Sequence, residues 1–158
     1  MSTVSTTAED RLAKLGIHLP EAPTPFGAYV PAVQTGNLLF LSGMLATSGH
    51  TATVVGIVGK DLDINAGRKA AYIAALNAIA LIKKQLGSLN RVSRVVRLGV
   101  YLAATPQFTE HAKVADAASE LLRDVFGEET ISSRLVIGVA SLPLGSPVEL
   151  EVILEVRP

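Results

Sequence analysis

The segment Ser132-Ser133-Arg134-Leu135-Val136-Ile137-Gly138-Val139-Ala140-Ser141-Leu142-Pro143-Leu144-Gly145-Ser146-Pro147-Val148-Glu149-Leu150-Glu151-Val152-Ile153-Leu154-Glu155-Val156 decides the fold. From Pro147 onward, Val148, Leu150, Val152, Leu154 and Val156 alternate with Glu149, Glu151, Ile153 and Glu155. That period of two describes a strand with one core face and one face carrying carboxylates. Upstream, Leu135, Ile137 and Val139 form an apolar set opposite Arg134, Val136, Gly138 and Ala140. Matching apolar face to apolar face about Pro143-Leu144-Gly145-Ser146 predicts an antiparallel hairpin, with Arg134 on the carboxylate side.

An arginine on the second face of a half-apolar strand has two readings. It makes a structural ion pair with Glu149, Glu151 or Glu155, or it forms a bidentate clamp for a substrate carboxylate. In the hairpin register Arg134 stands opposite about Glu155, which leaves Glu149 ~20 Å further along at about 3.3 Å per residue. A site using both residues then takes one from each of two subunits.

Working back towards the N-terminus, Thr6-Thr7-Ala8-Glu9-Asp10 opens a short helix closed by Gly16, an appendage to the core. Pro20, Pro23 and Pro25 interrupt regular structure, so residues 1–25 are read as an N-terminal extension and residues 26–158 as a single domain. An extended run Tyr29–Val33 and a strand Leu38–Gly43 flank the turn Gly36-Asn37, and Val54–Val58 reads as a third strand. Asp61 or Asp63 caps an alanine-rich helix running to Leu86, with Gly87 as its stop. Arg94–Leu102 is a fourth strand, and Pro106 leads into a helix over Phe108–Phe126.

The order β-β-β-α-β-α-β-β after a short N-terminal helix defines an α+β protein: one mixed six-stranded sheet with two main helices packed on one face. The second and fourth strands are apolar on both sides, so the face without helices calls for a partner, and a closed homo-oligomer is the simplest one.

Fourteen Lys plus Arg balance fourteen Asp plus Glu, which gives no electrostatic footprint for nucleic acid or an anionic membrane. The absence of cysteine rules out a disulfide framework and a thiolate nucleophile, and fits a cytoplasmic setting. His18, His50 and His111 lack metal-ligand spacing, so no metal is expected. Gly56-Ile57-Val58-Gly59-Lys60-Asp61 lacks phosphate-loop spacing, and Ser42-Gly43 is not a nucleophile elbow. Neither a leader peptide nor a membrane-spanning segment is read from the sequence.

Phe26-Gly27-Ala28-Tyr29-Val30, Gly36-Asn37-Leu38-Leu39-Phe40-Leu41-Ser42-Gly43, Arg134-x-x-x-Gly138-Val139-Ala140-x-Leu142-Pro143 and Val148-Glu149-Leu150-Glu151 occur in one order and spacing. Together they resemble the RidA/YjgF enamine/imine deaminases, once labelled endoribonuclease L-PSP or translation inhibitor proteins, over about Phe26–Val156. The resemblance implies a chorismate-mutase-like fold, a homotrimer with clefts between subunits, and no cofactor. It further implies that Arg134 holds a substrate carboxylate, Glu149 positions or deprotonates water, Tyr29 stands near the cleft as a catalytic residue guiding proton transfer, and Ser42, Gly43 and Val136 line it. The implied reaction is hydrolysis of small 2-imino or 2-enamino acids, such as 2-aminoacrylate, to 2-keto acids and ammonia.

Val136 replaces a cysteine frequent in the family, Met44 replaces a glutamine, and Ser132-Ser133 replaces a Pro-Ala lead into the arginine. The N-terminal extension and the helix around Asp116 resemble a longer branch, in which Asp116 reads as a solvated helix residue or a cleft neighbour. The competing function is a non-catalytic or regulatory trimer binding a small keto or amino acid in the same cleft. A ribonuclease reading conflicts with the neutral charge.

Overall fold

Thr7 and Asp10 exchange backbone-to-side-chain hydrogen bonds of 3.1 Å each, a capping box that starts α1 (Ala8–Lys14). The computed structural model that shows this describes residues 4–158, so residues 1–3 of the expected extension lie outside the described residues. Rather than forming an appendage, α1 buries Ala8 and Leu12 in the main hydrophobic core.

Strands β1 (Ala32–Thr35) and β2 (Leu38–Leu41) pair across Gly36-Asn37, with Gly36 at φ 58°, a region glycine enters without strain. The third sheet strand is β3 (Met44–Leu45), not the expected Val54–Val58. β4 (Thr47–Ser48) and β5 (Thr51–Ala52) make a separate two-stranded ribbon. Gly56 and Gly59, at φ 138° and 93°, bend the Val54–Val58 chain out of strand geometry. Val58 makes only isolated bridges there, and its side chain plugs the core.

Helix α2 (Ile64–Leu86) is capped by Asp63, whose Oδ1 accepts from Ala66 N–H at 2.8 Å, and ends at Gly87 with φ 81°. Asp61 instead accepts from Ile57 N–H at 2.9 Å. Fully buried Ala70, Ala71, Ala74, Ala75 and Ala78 let α2 lie close against its neighbours in the core. β6 (Val92–Ala103) precedes α3 (His111–Phe126), and then come β7 (Ser133–Val139) and β8 (Val148–Val156).

The sheet order is β1-β2-β8-β6-β7, with β3 also pairing β8, and both long helices cover one face. The terminal hairpin does not form. β6 lies between β7 and β8, parallel to β7 from Arg97↔Ser133 to Ala103↔Val139 and antiparallel to β8. Arg134 is therefore the partner of Leu98, not of Glu155. The alternation of β8 assigned its faces correctly, with Val148, Leu150, Val152 and Leu154 fully buried. A face assignment does not choose a neighbour, however, and the Ala140–Pro147 connection is long enough to step past a strand.

The face of β7 also reverses. Leu135 and Ile137 are each 41% exposed on the sheet face that carries no helix. Arg134, Val136 and Gly138 point to the α3 side, where Val136 packs on the core and a Cβ at Gly138 would lie 2.8 Å from His111 Nε2. The bare face carries rows set by the register: Val33, Phe40, Ile153, Arg97 and Ser133 in one, Glu151, Gly99 and Leu135 in the next, then Leu45, Glu149, Tyr101 and Ile137. Among the described residues no helix is long and apolar enough to cross a membrane.

Candidate active site

Glu149 and Glu151 project from β8 onto the bare face two residues apart, yet they meet different surroundings. Glu151 accepts from Arg97 Nε at 3.3 Å and from Tyr101 Oη at 3.4 Å, so its charge is compensated. Glu149 has no hydrogen-bond donor or ion-pair partner among the described residues, and burial pushes its carboxyl pKa up. Its carboxylate lies over Gly43, where any side chain would collide with it. Glu149, Glu151, Gly43, Tyr101, Phe40 and Ile153 line a cavity of about 600 Å³, within the range of small-molecule sites.

Gly43 also borders a narrow crevice lined by Tyr29 and Ser42, so it is shared between that crevice and the Glu149 cavity. Two of these groups are committed locally. Tyr29 Oη accepts from Phe26 N–H at 2.9 Å, and Ser42 Oγ donates to the Val30 carbonyl at 2.6 Å. Those bonds pin the Phe26–Pro31 segment over the end of β2. Behind it, buried Asn77 of α2 donates through Nδ2 to the carbonyls of Leu45 and Thr47 at 3.0 and 2.9 Å, fixing the chain that follows Gly43.

Arg134 and Val136 are not in this region. They lie on β7, on the opposite face of the sheet, with β6 between them and β8. Arg134 Nη1 donates to Asp116 Oδ1 at 2.7 Å and to Ser119 Oγ at 3.1 Å, both on α3. The ion pairs expected with Glu149, Glu151 or Glu155 are replaced by this one. Asp116 is therefore the arginine's partner and not merely a solvated helix residue.

Tyr101, Asp116 and Ser119 extend the expected set. A tyrosine in the apolar second half of β6, Leu98–Ala103, is the available signal for Tyr101. Asp116 and Ser119 share a helix face at a spacing of three, but only the β7–α3 packing reveals their target. Among the described residues no group of three or more His, Cys, Asp or Glu side chains is placed to hold a metal ion.

The family described as "YjgF/chorismate_mutase-like, putative endoribonuclease" matches residues 9–156. Protein TCP17 of Trypanosoma cruzi is 40% identical over 147 residues, covering 92% of each chain. A 2-iminobutanoate/2-iminopropanoate deaminase of Dermatophagoides farinae is 29% identical over 141 residues, covering 89% of this chain and 95% of the relative. The crystal structure of a putative endoribonuclease from Shewanella oneidensis superposes with a TM-score of 0.90 at 33% identity, over 95% of this chain and 99% of that one. The class is thus an α+β protein of the YjgF, chorismate-mutase-like kind. The chain belongs to the RidA/YjgF family.

Proposed function

We propose that the protein hydrolyses small 2-imino and 2-enamino acids to 2-keto acids and ammonia, in clefts assembled between the subunits of a homotrimer. The observation that carries this reading is the uncompensated Glu149 carboxylate, lodged over Gly43 in a cavity beside the neutralised Glu151–Arg97–Tyr101 group. A carboxylate with a raised pKa is better matched to general-base work near neutrality than an ordinary one. The name of the Dermatophagoides farinae relative gives the substrate class further support.

A protonated imine is already electrophilic, so the site supplies orientation and proton movement. Glu149 takes a proton from water as the oxygen bonds to the imine carbon and the C=N π pair moves to nitrogen. The resulting carbinolamine gains a proton at nitrogen from Glu149; the C–N bond then breaks with its electron pair leaving on ammonia, the C=O bond forms, and the hydroxyl proton returns to Glu149 to give the keto acid. Arg134 of a neighbouring subunit grips the carboxylate, and Val136 borders it there. Tyr29, Ser42 and Gly43 shape the wall near the reacting carbon. An interface of this kind also covers Leu135, Ile137, Phe40 and Val33 on the bare face.

The test is hydrolysis of freshly generated 2-iminobutanoate, followed as 2-ketobutyrate appearing above the spontaneous rate. The wild-type chain accelerates it, and Arg134→Ala and Glu149→Gln each abolish most of the acceleration. Thermal stabilisation by 2-ketobutyrate without turnover would replace the enzyme reading with the binding one, since an arginine clamp serves both.

A further inference from the structure

Arg134 enters its site with one end already occupied. Its Nη1 donates to Asp116 Oδ1 at 2.7 Å and to Ser119 Oγ at 3.1 Å, which uses both Nη1 hydrogens. Nε and Nη2 have no partner among the described residues. Those two nitrogens carry hydrogens along the same side of the guanidinium, a fork that takes one carboxylate bidentately. The end-on fork, which needs Nη1, is closed. The Arg134 side chain is 25% exposed and that of Asp116 48%, so both stand at a surface that a ligand can reach.

Two consequences follow for an anion arriving at Arg134. The plane of the guanidinium is fixed by α3, which orients the open fork. The carboxylate of Asp116 stays beside the clamp, so a first substrate carboxylate meets a single arginine edge, and a second meets a fixed negative charge with no arginine edge left. We propose that Asp116 is a specificity-determining residue that restricts the site to monocarboxylic imino acids and turns away dicarboxylic ones. This rests on the reading of Arg134 as the substrate clamp. Ser119 is a positioning residue for the same guanidinium.

Isothermal titration of 2-oxobutanoate and 2-oxoglutarate, stand-ins for the two product classes, tests the assignment. Asp116→Asn keeps an oxygen to accept from Nη1 and removes only the charge. The affinity for 2-oxoglutarate relative to 2-oxobutanoate then rises by about tenfold, as removal of a like charge from a partly exposed site should give. Ser119→Ala deletes an acceptor without changing charge, so both affinities move together and their ratio stays within about twofold. An unchanged ratio in Asp116→Asn, or the same rise in Ser119→Ala, overturns the proposal. Arg134→Ala separates it from its premise: if that variant binds 2-oxobutanoate as the wild type does, the clamp reading fails whatever Asp116→Asn shows.

Discussion

Arg134 and Glu149 stand on opposite faces of one sheet, Arg134 on edge strand β7 and Glu149 on β8, with β6 between them. A small ligand cannot bridge a packed sheet, so under the proposed function one chain offers two half-sites. The Arg134 half includes Asp116, Ser119 and Val136. The Glu149 half includes Gly43, Tyr101, Ser42 and Tyr29.

Glu149→Gln separates chemistry from stability. With the carboxyl pKa raised by burial, the basic form is lost on acidification at a pH above the ordinary glutamate value of about 4.3. The acid limb of the rate profile accordingly lies above that value, and Glu149→Gln removes the limb along with most of the rate. For stability the sign is opposite. A raised folded-state pKa means that stability present below the ordinary value is lost as pH rises through the raised one. Glu149→Gln is therefore more stable than wild type at pH 7, because the amide carries no charge to desolvate. Below the ordinary value the gain vanishes. Denaturant melts at both pH values check this.

Gly43→Ala places a methyl group against the Glu149 carboxylate. Displacement of that side chain lowers turnover at least tenfold, while stability falls by under about 1 kcal/mol, because the colliding atoms are the mobile end of the glutamate beside an open cavity. Turnover measured alongside thermal melts checks this.

Leu135→Asp together with Ile137→Asp places charge on two exposed bare-face positions of β7. The chain stays folded by circular dichroism, its solution mass falls to that of a monomer, and imine hydrolysis is lost. Retained activity in a demonstrated monomer would contradict the shared cleft.

Leu154→Ala removes a fully buried side chain from β8, which is flanked by β2 and β6. The expected loss is about 2–5 kcal/mol, the range for deleting a core leucine. Arg97→Ala breaks an ion pair whose partners are 40% and 41% exposed and costs under about 1 kcal/mol. Urea unfolding of the two variants ranks them.

The alternation of β8, the capping and stop residues of α2 and the turn at Gly36-Asn37 were legible because each depends on neighbours in sequence. The pairing partner of β7 was not. Leu135, Ile137 and Val139 look like a core face by composition, and only insertion of β6 and packing of α3 turn Arg134 towards the helix. Two residues carry no periodicity, so the short strand Met44–Leu45 leaves no signal in the sequence, while the apolar run Val54–Val58 imitates a strand. Arg134 and Glu149 stand out by strand periodicity, whereas Tyr29, Ser42, Gly43 and Val136 enter through the family resemblance. Their distribution between two faces, and the hold of Asp116 on Arg134, are products of tertiary packing.

Subunit complementation tests the two-half-site account most directly. Arg134→Ala and Glu149→Gln chains, each inactive alone, are mixed in equal amounts, unfolded and refolded together, and assayed for 2-iminobutanoate hydrolysis. If each cleft draws Arg134 from one subunit and Glu149 from the next, random assembly makes about one quarter of the clefts intact and restores about one quarter of wild-type activity. Activity no higher than that of the separate variants would contradict the account.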